Sequence, residues 1–343
     1  MSIRRLPVYL LLDCSESMAG DAFAGVQQGL ASLLAELKSN PMALETAWMS
    51  LITFGTRAQQ LVPLTDIMQF HTPALRLGSG TALGAALELW EKCMAREIMK
   101  TSETQKGDYK PVCFIMTDGV PTDSWEEAAD RIRTQILGKK ANIIALACGP
   151  DSDTGALRRI TETVLQMQDA NVAGFKKFFQ WISSSISTAS QRLGSDGEKG
   201  IGLPALPNAL TMAGPDKQKA GSADDRYVFL HARCVKSKQF FLLRFAKTSG
   251  SGKSAKYKGV AVHPLEDFDF GEKGEIPTLG VSNQALENPT PCPYCGNPGW
   301  AMCSSGHVLC CPPVEGTLNL TCPWCSKTEQ YQSAVFDVGR GAG

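Results

Sequence analysis

The first residues able to do chemistry stand in the segment Asp13-Cys-Ser15-Glu-Ser17, directly after the apolar run Val8–Leu12. Their carboxylate and hydroxyl oxygens are hard ligands, suited to Mg2+ or Mn2+ and not to soft metals. Alternating positions in a tight loop aim Asp13, Ser15 and Ser17 the same way. By itself the pattern is weak, because polar loops of this kind cap helices everywhere. Two further segments strengthen it. Gly78-Ser-Gly-Thr81-Ala-Leu-Gly84 opens a helical pattern and offers Thr81, and Met116-Thr-Asp118-Gly-Val-Pro-Thr-Asp123 follows another apolar run and offers Asp118. Three loops at one edge of one sheet would then each supply oxygen. Glu16 is expected to point to solvent or to rim this site, and Cys14 to pack as a small side chain. Thr122 and Asp123 read as turn and cap residues, with Asp123 also at the rim that a partner would meet.

A second set of candidates is made of sulfur. Seven of the twelve cysteines crowd into residues 292–325, in the order Cys292-Pro-Tyr-Cys295, Cys303, His307, Cys310, Cys311, Cys322-Pro-Trp-Cys325. Each Cys-x-x-Cys pair can form a knuckle that supplies two thiolates, so the outer pairs Cys292, Cys295, Cys322 and Cys325 are expected to share one tetrahedral zinc. A redox reading of Cys-Pro-Tyr-Cys requires a helix N-terminus behind it, and Gly296-Asn-Pro-Gly299 breaks any helix there. Cys303, His307 and Cys310 or Cys311 could join two of the outer cysteines in a second, cross-braced site, which leaves the count at one zinc or two. The scattered Cys14, Cys93, Cys113, Cys148 and Cys234 read as small buried hydrophobes.

The elements that must position these residues follow from hydrophobic spacing. Val8–Leu12, Val112–Met116 and Ile143–Cys148 are continuous apolar runs, as expected for strands buried on both faces. Ala47–Phe54 adds another strand and Gln59–Leu64 an edge strand paired by a hairpin. Amphipathic helices alternate with them: one from about Ala22 to Leu37, one carrying Leu83, Leu87, Trp90 and Met94, and one opened by a Ser124-x-x-Glu127 capping box. A last helix carries Phe175, Phe178, Phe179, Ile182, Ile186, Ala189 and Leu193 on one face. The first domain, residues 1–193, is therefore α/β with a doubly wound, mostly parallel sheet. Residues 194–225, rich in Gly, Pro, Ser, Ala and Lys, read as a linker. Residues 226–343 read as β-hairpins (227–234, 240–245 and 257–262) followed by a small zinc-ribbon-like module, too short to fold on a hydrophobic core alone.

Composition narrows the function. With 34 Lys or Arg against 34 Asp or Glu, the chain offers no global attraction to nucleic acid or membrane. No stretch approaches a membrane span, the N-terminus lacks a signal-peptide cleavage pattern, and the expected location is cytoplasmic. One local asymmetry stands out: residues 226–265 hold nine Lys or Arg and no Asp or Glu. With Tyr227, Phe229, Phe240, Phe241 and Tyr257 interleaved, that segment would suit single-stranded nucleic acid, unless the aromatics face the core.

The Asp-x-Ser-x-Ser, Gly-rich Thr and Asp-Gly segments together resemble the metal ion-dependent adhesion site of the von Willebrand factor A family. The resemblance implies metal contact by Ser15, Ser17 and Thr81, with Asp13 and Asp118 often acting through water, and an open position for a partner's Glu or Asp. Such a domain followed by a linker, a basic β segment and a Cys-Pro-x-Cys…Cys-Pro-Trp-Cys ribbon resembles bacterial tellurite-resistance proteins of the TerY type. That likeness implies an adaptor working with a Ser/Thr protein kinase and a PP2C-type phosphatase in stress or defence. The residues themselves point away from an enzyme. The first domain lacks a nucleophile–base set, its only histidine is His71, and an aspartyl phosphotransferase would want a second Asp where Ser15 stands.

Overall fold

The structure, a computed structural model, describes residues 4–149, 152, 154–193, 203–213, 226–265, 268–269, 279–313, 316–332 and 334–340. The chain divides into two compact units, Met1–Ala220 and Gly221–Gly343. In the first, the elements run β1 (Leu6–Asp13), α1 (Asp21–Ser39), α2 (Pro41–Thr46), β2 (Ala47–Phe54), β3 (Ala58–Asp66), β4 (Leu77–Gly78), α3 (Leu83–Glu97), β5 (Val112–Thr117), α4 (Glu126–Gln135), β6 (Asn142–Cys148), α5 (Gly155–Ile160), β7 (Val164–Met167), α6 (Val172–Leu193) and β8 (Leu210–Met212).

Seven strands form one sheet in the order β3-β2-β1-β5-β6-β7-β8. β3 and β8, at the two edges, are antiparallel to their neighbours and the five inner strands are parallel. Every residue of β1 and β5 is buried, as strands covered on both faces must be. Tyr9, Leu11, Cys113 and Ile115 pack with Trp90 of α3 and Ile132 of α4 on one face. On the other, Phe114 meets Trp181 of α6 edge-on at 6.3 Å. α1 lies on α6, and glycine at 25 makes the approach close, since a Cβ there would stand 2.7 Å from the Phe175 ring. The order reverses at β1: β2 and β3 lie to one side and β5 onward to the other. Ligand crevices form at such a switch, beyond the carboxyl ends of the strands, and Asp13 and Asp118 stand there.

Two local expectations are corrected. Part of the expected linker is sheet, because Leu210–Met212 pairs with β7; residues 194–202 and 214–225 of that segment lie outside the described residues. α4 begins one turn position later than its capping-box pattern implies, with Trp125 at the N-cap and no side-chain cap bond. Short elements without a long period, α2, α5 and β7, carry no pattern that spacing alone would detect.

The second unit is β-rich: β9 (Tyr227–Arg233), β10 (Phe240–Ser249), β11 (Lys256–Leu265), β12 (Phe268–Asp269), β13 (Leu279–Ser282), β14 (Leu286–Glu287), β15 (Gly299–Met302), β16 (Val308–Cys311), β17 (Leu318–Thr321), β18 (Thr328–Tyr331) and β19 (Asp337–Arg340). A six-stranded sheet runs β14-β11-β10-β9-β16-β15, while β13–β19 and β17–β18 form separate pairs. Val228, Leu230, Phe241, Leu243 and Phe245 form its main core together with Cys234, Cys292 and Cys310. A satellite core holds Cys303, Leu309, Cys322 and Tyr331. Among the described residues, no helix is long and apolar enough to cross a membrane.

Candidate metal centres

Three loops converge at the carboxyl edge of β1 and β5. The Gly78 N–H donates to the Cys14 carbonyl at 2.7 Å and Ser15 bridges Gly78, which ties the first loop to the second. The second is tied to the third in both directions: Thr122 N–H donates to the Thr81 carbonyl at 3.0 Å, and Thr81 N–H to Thr122 Oγ1 at 2.9 Å. Gly84 lets the third loop approach, since a Cβ there would stand 2.7 Å from the Ser124 carbonyl oxygen.

Within this frame four of the five expected residues are joined by hydrogen bonds, and the fifth, Thr81, stands on the second loop with its backbone tied to the third. Ser15 N–H donates to Asp13 Oδ1 at 2.8 Å, the Ser15 and Ser17 hydroxyls lie 2.8 Å apart, and Ser17 Oγ donates to Asp118 Oδ1 at 2.6 Å. Asp13, Ser15 and Thr81 are fully buried, while Ser17 and Asp118 are half-buried and face outward. Two observations fit a cation. Thr81 Oγ1 is buried without a hydrogen-bond partner, a costly state unless something else accepts it. The Asp13 carboxyl is pushed up to about 7 by burial and by the Asp118 charge, against the hydrogen bonds from Thr117 and Ser15. A hard divalent cation would relieve both, and the all-oxygen donor set suits it.

Of the two rim candidates, Glu16 is not where the sequence suggests, and Asp123 takes the cap role also read for it. Glu16 is fully buried, turned inward by the 3-10 turn Glu16–Met18. Hydrogen bonds from the Ser79 side chain and the Gly80 backbone oppose the burial that pushes its carboxyl up to about 8. It braces the first loop against the second and does not rim the site. Asp123 spends both carboxylate oxygens on the N–H groups of Gly84 and Ala85, at 3.1 and 2.9 Å, and so caps α3. Sequence reasoning passed over Thr117, whose hydroxyl donates to Asp13 Oδ2 and accepts from Gly119 N–H. Its signal is a hydroxyl residue closing a buried strand immediately before Asp-Gly.

The sulfur ligands fall into two groups, each with its ligand atoms within 4.8 Å of one another: Cys234, Cys292, Cys295 and Cys310, and Cys303, His307, Cys322 and Cys325. The outer Cys-x-x-Cys pairs therefore do not share one site. Each supplies half of a different one, because the β15–β16 hairpin runs between them. Cys303 and His307 close its turn and complete the second group, while Cys310, three residues along β16 and so about 10 Å away, completes the first. Cys311, next along the strand, points to the other face and belongs to neither. Cys295 and Cys310 sulfurs stand 3.5 Å apart, and Cys303 Sγ lies 3.4 Å from His307 Nδ1. A zinc with roughly 2.3 Å bonds has tetrahedral edges of about 3.8 Å between sulfurs, so the groups are close to closing around one ion each.

Cys234 is the ligand the sequence hid. Its turn repeats the two Cys-x-x-Cys knuckles bond for bond. Cys234, Cys292 and Cys322 each donate N–H to the carbonyl five residues on, at 2.9, 2.9 and 2.8 Å, and accept from the N–H four residues on, at 3.0, 2.9 and 2.9 Å. The fourth residue has positive φ in each: Lys238, Gly296 and Ser326 at 64°, 74° and 61°. Ser237 stands where the other knuckles carry their second cysteine, so no Cys-x-x-Cys marks it. Backbone donors serve the sulfurs, with Ser237 N–H 3.3 Å from Cys234 Sγ and Val235 N–H 3.4 Å from Cys310 Sγ.

The basic segment does not present its aromatics for stacking. Phe229, Phe241 and Tyr257 are buried, Arg244 lies 4.0 Å over the Tyr227 ring, and Arg233 lies 4.5 Å over Phe240.

Comparison with known proteins agrees with this division. The von Willebrand factor type A domain profile matches residues 8–180, and the TerY-C metal binding domain profile matches residues 224–343. No curated protein matches. Among solved structures, proximal thread matrix protein 1 from the mussel byssus is 15% identical with a TM-score of 0.39, over 54% of this chain and 49% of that one. A second structure of that protein, with a zinc-occupied MIDAS motif, is 20% identical with a TM-score of 0.37, over 55% of this chain and 46% of that one. This chain thus spans about half the length of the mussel protein. A conserved hypothetical protein BatB from Bacteroides thetaiotaomicron is 18% identical with a TM-score of 0.35, over 52% of this chain and 98% of that one.

Proposed function

We propose, for a chain that belongs to the von Willebrand factor type A domain family, the role of a non-enzymatic, metal-dependent protein-binding adaptor. Asp13, Ser15, Ser17, Thr81 and Asp118 would hold Mg2+ or Mn2+, and the cation would accept a carboxylate from a protein partner. The two sulfur groups would each hold a structural zinc, shaping the C-terminal unit as a second docking module. The observation that carries this reading is the buried, unpartnered Thr81 hydroxyl, on a loop hydrogen-bonded to the one that carries Asp118, whose carboxylate accepts from Ser17. Resemblance to TerY-type proteins supports a Ser/Thr kinase and a PP2C-type phosphatase as partners, in a bacterial, cytoplasmic, tellurite-resistance-like stress response. The twelve thiols, all unpaired, are compatible with a reducing compartment.

Capture of partners from native cells by the wild type and by Asp13→Ala, with metal measured on both, tests the proposal. Loss of partners with zinc retained is expected. An unchanged partner set would remove the adhesion site from recruitment.

A further inference from the structure

The two sulfur groups sit in cores of very different size. Cys234 and Cys310 belong to strands or turns of the six-stranded sheet and are buried with Cys292 among Phe241, Leu243 and Phe245. The second group has no such surroundings. Of the four buried residues in its core, Cys303 and Cys322 are themselves ligands, leaving Leu309 and Tyr331. The β17–β18 pair attached to it is paired to no other strand, and across its eight residues only Tyr331 is buried. An isolated two-stranded hairpin is marginal in water, and one buried tyrosine with the partly buried Leu320 does not offset the ordering of so many residues. Polar ties add little, since Ser304 to Glu329 and Lys327 to Ser305 are exposed. The ties that reach the sheet, Trp324 Nε1 to the Val308 carbonyl at 2.7 Å and Arg233 to the Pro323 carbonyl at 2.8 Å, hold the knuckle and not the strands beyond it.

We infer that the Cys303, His307, Cys322 and Cys325 group is a switchable metal site, whose occupancy orders the β17–β18 hairpin while the first group and its sheet stand without it. His307 and Cys325 are both half-exposed there, whereas in the first group Cys295 alone is, so a chelator or a competing thiol reaches the second metal first. One thiolate fewer also weakens its hold on a soft-accepting ion. The hairpin is then ordered only on metal-replete protein. This rests on the reading that both groups hold zinc.

The test uses the full chain. Zinc is withdrawn by graded chelator while metal content and amide hydrogen exchange are followed together. The expected result is a one-zinc intermediate in which peptides from 316–332 exchange at least about ten-fold faster and peptides from 227–245 are unchanged. Cys325→Ala should reproduce that state, with one zinc retained. Concerted loss of both zincs, or a one-zinc protein whose hairpin stays protected, would overturn the inference. A wild type that purifies and reconstitutes without zinc would instead overturn the zinc assignment itself. If Cys325→Ala does not fold, the graded withdrawal on the wild type decides alone.

Discussion

The oxygen site and the sulfur sites differ in which comes first, the scaffold or the metal. Asp13 and Asp118 stand on a sheet and helices whose core is apolar, with Trp90, Tyr9 and Phe114 fully buried in the same unit. A cation there would be an addition to a finished structure. In the C-terminal unit, Cys234, Cys292 and Cys310 are part of the core, and two of the four buried residues in the satellite core are ligands. Ligands that are also core make metal binding a part of folding. The lesson is that an oxygen site on a rigid edge can be loaded and unloaded as a function, whereas loading a sulfur site changes what is folded.

That contrast can be broken most severely by removing all zinc. Complete chelation is expected to abolish cooperative unfolding of residues 226–340, a loss on the order of 10 kcal/mol of metal-coupled stability. The transition of the first unit should remain, as differential scanning calorimetry would show. Next in size, Cys234→Ala should cost one zinc and several kcal/mol, while Cys311→Ala, equally buried but outside both groups, should keep two zincs and lose only about 1 kcal/mol of packing. Elemental analysis with thermal melts distinguishes them, and equal zinc content in the two variants would refute the assignment of Cys234.

On the oxygen side the effects are on binding and not on fold. Thr117→Val removes the donor to Asp13 Oδ2 and is expected to weaken Mn2+ affinity about 10-fold, with roughly 1 kcal/mol of stability lost. Titration calorimetry reads the first and denaturant melts the second. The smallest effect is expected from Asp123→Ala, which deletes the α3 cap at a cost of about 1 kcal/mol and should leave partner capture intact. Lost capture at unchanged stability would restore Asp123 to the rim.

How much of this was legible in the sequence follows the same division. β1, β5 and β6 appear as continuous apolar runs because both faces of an inner strand are buried, and the five oxygens appear because each lies within a few residues of a strand end or helix start. Glu16 was misplaced because a turn of three residues leaves no period from which to read its direction. β8 was hidden in a segment whose Gly, Pro and Ser content reads as linker, since three paired residues leave no alternation to count. The sulfur partners were hidden for a different reason. Which knuckle joins which is decided by the β15–β16 hairpin and by the pairing of β16 with β9, contacts between residues far apart in sequence. Cys234 lacks even the local mark, because Ser237 occupies the place of its second cysteine.

The most direct test is a metal count on the purified full chain and on Asp13→Ala, both equilibrated with Mn2+ and zinc and then desalted without chelator. Two zincs in each protein, and one Mn2+ in the wild type alone, are the result expected of an oxygen site on a finished scaffold beside two sulfur sites. Mn2+ retained by Asp13→Ala, or one zinc in place of two, would contradict it.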